Sequence, residues 1–155
     1  MSGSTATERL AALGLTLPPV AAPVAAYVPA VRTGNYVYTS GQLPIVDGKL
    51  QGVGKVGDGV TSDEAAALAR VAAFNALAAA ASVAGGIDAI TRIVKVTVFV
   101  ASAPSFTDQA LVGNGASELL IDVFGDAGRH ARSAIGMAVL PRDAPVEVEL
   151  IAEIA

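Results

Sequence analysis

Ile90-Thr-Arg-Ile-Val-Lys-Val-Thr-Val-Phe-Val-Ala101 decides how this chain folds. β-branched residues dominate it, and they favour an extended strand over a helix. Its second half is apolar apart from Thr97, without the polar alternation of a half-solvated strand. The reading is a strand buried on both faces, with helices on one side and something else on the other.

Upstream, Thr61 or Ser62 can cap a helix that carries Asp63 and Glu64 in its first turn, where the helix dipole favours negative charge. That helix runs to about Ala84 and stops at Gly85-Gly86, and its many alanines permit close packing on a sheet. Downstream, Ser105–Phe124 reads as a second helix interrupted by Gly113-Asn114-Gly115. Each glycine there costs about 1 kcal/mol relative to alanine, which points to close packing or a site near Asn114. Ala131–Leu140 and Val146–Ile154 read as two adjacent strands joined by a short Pro-Arg-Asp-Ala-Pro turn.

Toward the N-terminus, Val28–Ser40 reads as strand, turn and strand, with Gly34-Asn35 at the turn and Gly41 directly after. Asp47-Gly48 gives a second tight turn, and Gly52–Gly59 a glycine-rich loop. Thr5-Ala-Thr-Glu8 has the form of a capping box before a short turn carrying Leu10 and Leu13, ended by Gly14. Leu15–Pro23 is proline-rich and extended, an arm lying on the domain or on a neighbour. The order is ββ(β)αβαββ, an α+β domain with two helices on one face of a mixed sheet. The other face is expected to pack against identical sheets in a closed ring.

Composition agrees with an assembled protein. Hydrophobic residues make up 53% of the 155 and charged residues 15%, with a mean hydropathy of +0.57, high for a soluble monomer. No apolar run reaches the roughly 18 residues of a membrane span, because Arg70, Asn75 and Ser82 interrupt Ala65–Ala84. The net charge of −4 and scattered basic residues argue against a nucleic-acid partner. The absence of cysteine excludes disulfides, thiolate nucleophiles and cysteine–metal sites. No basic stretch followed by an apolar one opens the chain, so a cytoplasmic location is expected.

Chemistry has few candidates. Gly52-Val-Gly-Lys-Val-Gly57 matches GxGxxG in letters only, since the helix starts several residues late for a dinucleotide site. His130, the single histidine, reads as a residue at a helix–strand junction, without recognisable partners for a triad or a metal. Arg132 stands in an otherwise apolar strand, where an arginine faces solvent or is buried with a partner. Glu147 and Glu149 share one face of the last strand. Arginine can grip a carboxylate in a bidentate pair, and glutamate can hold a water, so the two form a minimal hydrolytic set. Pairing register decides whether they meet, and a surface charge pair is the plain alternative.

Four blocks occur together and in order: Asn35-Tyr-Val-Tyr-Thr-Ser-Gly-Gln-Leu-Pro44, Ile93-Val-Lys-Val-Thr-Val-Phe-Val100, Ala131-Arg-Ser-Ala134, and Leu140-Pro141 with Val146-Glu-Val-Glu149. The chain thereby resembles the RidA/YjgF family of reactive-intermediate deaminases from about Tyr27 onward. The resemblance implies a chorismate-mutase-like fold in residues 27–155 behind an arm of residues 1–26. It implies a homotrimer in which three sheets form a central barrel with helices outside.

It also implies cofactor-free hydrolysis of enamines and imines to 2-oxo acids and ammonia in clefts between subunits. From composition and charge, no metal, nucleic-acid or membrane partner is expected. By position, Arg132 matches the arginine that binds the substrate carboxylate, and Glu147 the glutamate that orients the attacking water. Tyr27, Ser40 with Gly41, and Asn114 match pocket residues. The chain departs from the family pattern in Val24-Ala25-Ala26 before the tyrosine, where Gly-Pro is frequent, and in Ala134, where many members have cysteine. A non-catalytic 2-oxo acid binding protein of the same fold is the second reading.

Overall fold

The structure is a computed structural model and describes residues 3–23 and 25–155. Val24, one of the departures noted above, lies outside the described residues. The chain begins with helix α1 (Ala6–Ala12), then strands β1 (Ala30–Thr33) and β2 (Tyr36–Thr39). Four short pieces follow: β3 (Ile45–Val46), β4 (Lys49–Leu50), β5 (Lys55–Val56) and β6 (Gly59–Val60). Then come α2 (Ser62–Ala84), β7 (Ile90–Ala101), α3 (Gln109–Phe124), β8 (Ala131–Met137) and β9 (Val146–Ile154).

Local chemistry accounts for these boundaries. Thr5 and Thr61 each cap a helix through a full capping box with Glu8 and Glu64, so two orphan amide donors are satisfied at each start. Gly85 ends α2 at φ 94°, a left-handed conformation that glycine adopts freely. Asp47 and Gly48, at φ 51° and 77°, turn β3 into β4. α3 starts four residues later than the sequence suggests, because Phe106 is tied to Ala103 in a turn of its own. The glycine-rich loop is anchored, with Val56 fully buried and its carbonyl accepting from the Ala103 amide.

The main sheet is mixed and has the order β1-β2-β9-β7-β8. β7 is central and runs parallel to β8 and antiparallel to β9. This corrects the expected adjacency of the last two strands. β8 and β9 follow one another in the chain but flank β7 on opposite sides, because the α3 crossover sets β8 parallel to β7.

α2 and α3 cover one face of the sheet. Val96, Val98 and Val100 of β7 and Val146, Val148 and Leu150 of β9 are buried there. α2 is long and apolar enough to cross a bilayer, yet it is the core helix here, with most of its alanines buried. α1 joins the same layer through Ala6 and Leu10. The opposite face is left uncovered by the helices. Thr97 and Phe99 are half-exposed in the single chain, and the face mixes Tyr36, Tyr38 and Ile135 with Lys95, Glu147 and Glu149.

Gly115 explains one cost in α3. A methyl group there would fall on the Ala66 carbonyl of α2, with the Ala66 carbonyl carbon at 2.7 Å and its Cα at 3.1 Å. Backbone cannot move aside as a side-chain tip can. Gly115→Ala gains about 1 kcal/mol of helix propensity but incurs overpacking of about 1–3 kcal/mol or more. The expected net result is a melting point lower by several degrees in a thermal scan. A variant as stable as the parent would contradict this packing.

Candidate functional site

The six candidates fall into two groups. Tyr27, Ser40, Gly41 and Glu147 line one cavity of about 490 Å³. Arg132 and Asn114 lie together elsewhere, joined by a hydrogen bond of 3.0 Å.

The Glu147 cavity is built by backbone pairing. Gln42 and Val148 exchange two backbone hydrogen bonds of 2.8 and 3.0 Å, which fixes Gly41 beside Glu147. A methyl group at Gly41 would overlap the Glu147 carboxylate, whose Cδ would lie at 2.7 Å. Any larger residue here would displace the Glu147 carboxylate from its place. The Ser40 hydroxyl donates to the Val28 carbonyl at 2.7 Å, and the Ser40 amide to the Pro29 carbonyl, tying the Tyr27 segment to the cavity wall.

Burial pushes the Glu147 carboxyl above its ordinary pKa, and the Glu149 charge on the same face adds to the rise. The carboxylate has no hydrogen-bond donor among the described residues. It is thus a half-buried base of raised pKa, open to a water or a ligand.

Arg132 is held by α3. Its Nη1 donates to Asn114 Oδ1 at 3.0 Å and to Ser117 Oγ at 3.1 Å, and its Nη2 donates to the Ala110 carbonyl at 3.1 Å. Gly113 makes room, since a methyl group there would sit 3.0 Å from the guanidinium carbon. The two glycines flanking Asn114 thus have separate reasons, backbone packing against α2 at Gly115 and room for the Arg132 guanidinium at Gly113. Of the five guanidinium N–H donors, three are used. Nε–H and the second Nη2–H have no acceptor among the described residues and offer an edge to a carboxylate.

Sequence reasoning missed Ser117, although it lies one helical turn after Asn114 and so shares its face. Ser117 also links Arg132 to His130. The histidine Nδ1 lies 2.6 Å from the Gly128 carbonyl, which can only accept, so Nδ1 carries the proton. Nε2 then accepts from the Ser117 hydroxyl at 2.9 Å. Burial lowers the His130 pKa, the Gly128 bond opposes this, and the Arg132 charge adds to the lowering. A neutral histidine thus orients the hydroxyl that orients the arginine. His130 itself sits where sequence put it, at the junction before β8.

The Arg132 and Glu147 groups cannot meet within one chain. Arg132 pairs with Val96, and Val96 with Leu150, so these three point to the helix side of the sheet. Glu147 is three residues from Leu150 and points to the other side. Their backbones are roughly 14 Å apart by strand rise and spacing.

Arg142 was read only as part of a turn, but it lines the Glu147 cavity. It is held at φ 58°, followed by Asp143 at φ 59°, a conformation uncommon outside glycine. Hydrogen bonds from the Asp143 amide to Leu140 and from the Gly54 amide to the Asp143 carbonyl fix the turn. Among the described residues no cluster of three or more His, Asp or Glu side chains could hold a metal.

Residues 7–154 match the family model described as "YjgF/chorismate_mutase-like, putative endoribonuclease". Protein TCP17 of Trypanosoma cruzi is 44% identical over 154 residues, covering 99% of this chain and 96% of that protein. The crystal structure of Atu1372 from Agrobacterium tumefaciens, a protein described as of unknown function, is 45% identical with a TM-score of 0.88, covering 97% of this chain and 94% of that one. TdcF of E. coli, solved with bound serine, is 27% identical with a TM-score of 0.63, covering 90% of this chain and 94% of that one.

Proposed function

The chain belongs to the YjgF/chorismate mutase-like family, and from that premise we propose that it hydrolyses 2-imino acids and their enamine tautomers to 2-oxo acids and ammonia. The observation that carries this reading is Glu147, a half-buried carboxylate of raised pKa in a cavity, without a donor and pressed against Gly41. Arg132, with a free guanidinium edge, supplies the carboxylate grip.

An iminium carbon is already electrophilic, so the chain has to place a water and a carboxylate rather than create a reactive centre. Glu147 accepts a proton as the water oxygen bonds to the carbon. The same proton then goes to the nitrogen, and as the C–N bond breaks and ammonia leaves, the hydroxyl proton passes to the ionised Glu147, the carbonyl forms, and the carboxyl releases that proton to solvent. A base whose pKa lies nearer neutrality than an ordinary carboxylate serves both steps. Bidentate pairing fixes the orientation of the substrate, and positioning of this kind can lower a barrier by several kcal/mol, up to about 7–11 in the best-oriented cases.

Because the two groups face opposite sides of one sheet, a complete site needs Arg132 of one copy and Glu147 of another. The mixed polar and apolar open face, with Tyr38, Ile135 and Phe99, suits burial against further copies. The proposed assembly is the trimer implied by the family resemblance. The serine bound in TdcF is an amino acid of the size this reading requires.

The test is ammonia release from 2-aminoacrylate generated in situ by a dehydratase. The protein is expected to accelerate it well above the buffer rate. Release no faster than in buffer would refute the reading.

A further inference from the structure

A second cavity, of about 690 Å³, adjoins the one that holds Glu147. The extended arm Leu15–Ala22 forms its outer wall, and Val71 and Phe74 of α2 form its floor. Its lining is mainly apolar, including Pro18, Pro19, Val20 and Leu119. The two cavities share Ala21, Ala22, Ile45 and Arg142.

The Ile45 segment, which borders both cavities, is held in place. Asn75, buried in α2, donates to the carbonyls of Leu43 and Ile45 at 3.0 and 2.9 Å. This accounts for a polar residue in the alanine-rich helix, because its amide ties the Leu43–Ile45 segment to α2, adding to the bond that the Leu43 carbonyl already accepts from the Ile45 amide. Arg142 lies on the strained turn at the junction. Its aliphatic stem can cover apolar surface while its charged end stays in water.

A three-carbon imino acid has six heavy atoms. It would displace on the order of 100–200 Å³ if each takes about a liquid water's share, well below either cavity volume. A pocket for the smallest substrate alone would not need the second cavity.

We propose that the arm-walled cavity receives the apolar side chain of the substrate, so that the preferred substrates are 2-imino acids with long or bulky hydrocarbon side chains. This rests on the imine-hydrolysis reading of the Glu147 cavity. The arm is then a wall of the specificity pocket, and Val20 and Val71 are specificity residues on its two sides.

The experiment is calorimetric binding of straight-chain 2-oxo acids of three to eight carbons to the full-length protein. They are product analogues and require no turnover. Affinity is expected to rise about three- to fourfold per methylene until the cavity fills, the gain from burying one CH₂. Val71→Trp fills the cavity, and Val20→Asp places a charge on the exposed arm, where folding is little affected. Both are expected to bring the ratio of six-carbon to three-carbon affinity toward one. Equal affinity along the series, or a ratio unchanged in both variants, overturns the inference and leaves the imine reading standing. Failure of every 2-oxo acid to bind overturns both.

Discussion

Arg132→Ala is expected to lower turnover of 2-aminoacrylate by about 10²–10³-fold, the cost of removing one well-placed charged donor from a reacting site. The arginine is pre-oriented by Asn114, Ser117 and the Ala110 carbonyl, so its free edge is fixed before substrate arrives. Arg132→Lys is expected to recover little, because lysine has no planar fork and cannot satisfy three acceptors on α3 while pairing side-on with a carboxylate. An imine that lacks a carboxylate supplies the control. Its turnover should respond weakly to Arg132→Ala, since the lost interaction is with the acid group. Equal losses on both substrates would assign Arg132 a structural role.

Glu147→Gln is expected to reduce turnover by about 10²–10⁴-fold, the usual contribution of a positioned acid–base group. The same variant should be more stable than the parent at neutral pH. The folded pKa of Glu147 is raised, first by burial and then by Glu149. Between the ordinary carboxylate range and that raised value the folded chain keeps a proton that the unfolded chain has released. Stability therefore falls as pH rises through that window and stays lower above it. Glutamine removes the ionisation, so the variant gains most at neutral pH and little in acid. In the parent protein, turnover should fall as pH drops through the raised value, because the base must be ionised to accept a proton. Denaturant melts at two pH values and a pH–rate profile check both statements. A variant both inactive and less stable at neutral pH would show that the carboxylate holds structure rather than a water.

Elements with local signals were legible in the sequence. The Thr5 capping box, the α2 cap at Thr61, the Asp47-Gly48 turn and the bounds of β7 depend on neighbouring residues, and they stand where the letters put them. Arg132 and Glu147 could be singled out by residue type, but their mutual placement could not. β7 enters between β8 and β9 only because the parallel crossover through α3 is satisfied that way, a long-range property that a hairpin reading of Pro141–Pro145 misses. Arg142 was hidden for a similar reason. A turn arginine looks solvated until the arm and the β3–β4 hairpin close cavities around it. Gly113 and Gly115 announced themselves by their cost in a helix, but their separate reasons, a guanidinium and a backbone carbonyl, required coordinates.

The central claim is a hydrolytic site assembled from Arg132 of one copy and Glu147 of another. Co-expression of Arg132→Ala and Glu147→Gln chains tests it most directly, with ammonia release measured on the purified mixture. Each variant alone has no intact site. In a randomly mixed closed oligomer about a quarter of the sites join an intact arginine to an intact glutamate. The account predicts turnover near that fraction of the parent rate. A mixture as inactive as either variant alone would contradict it.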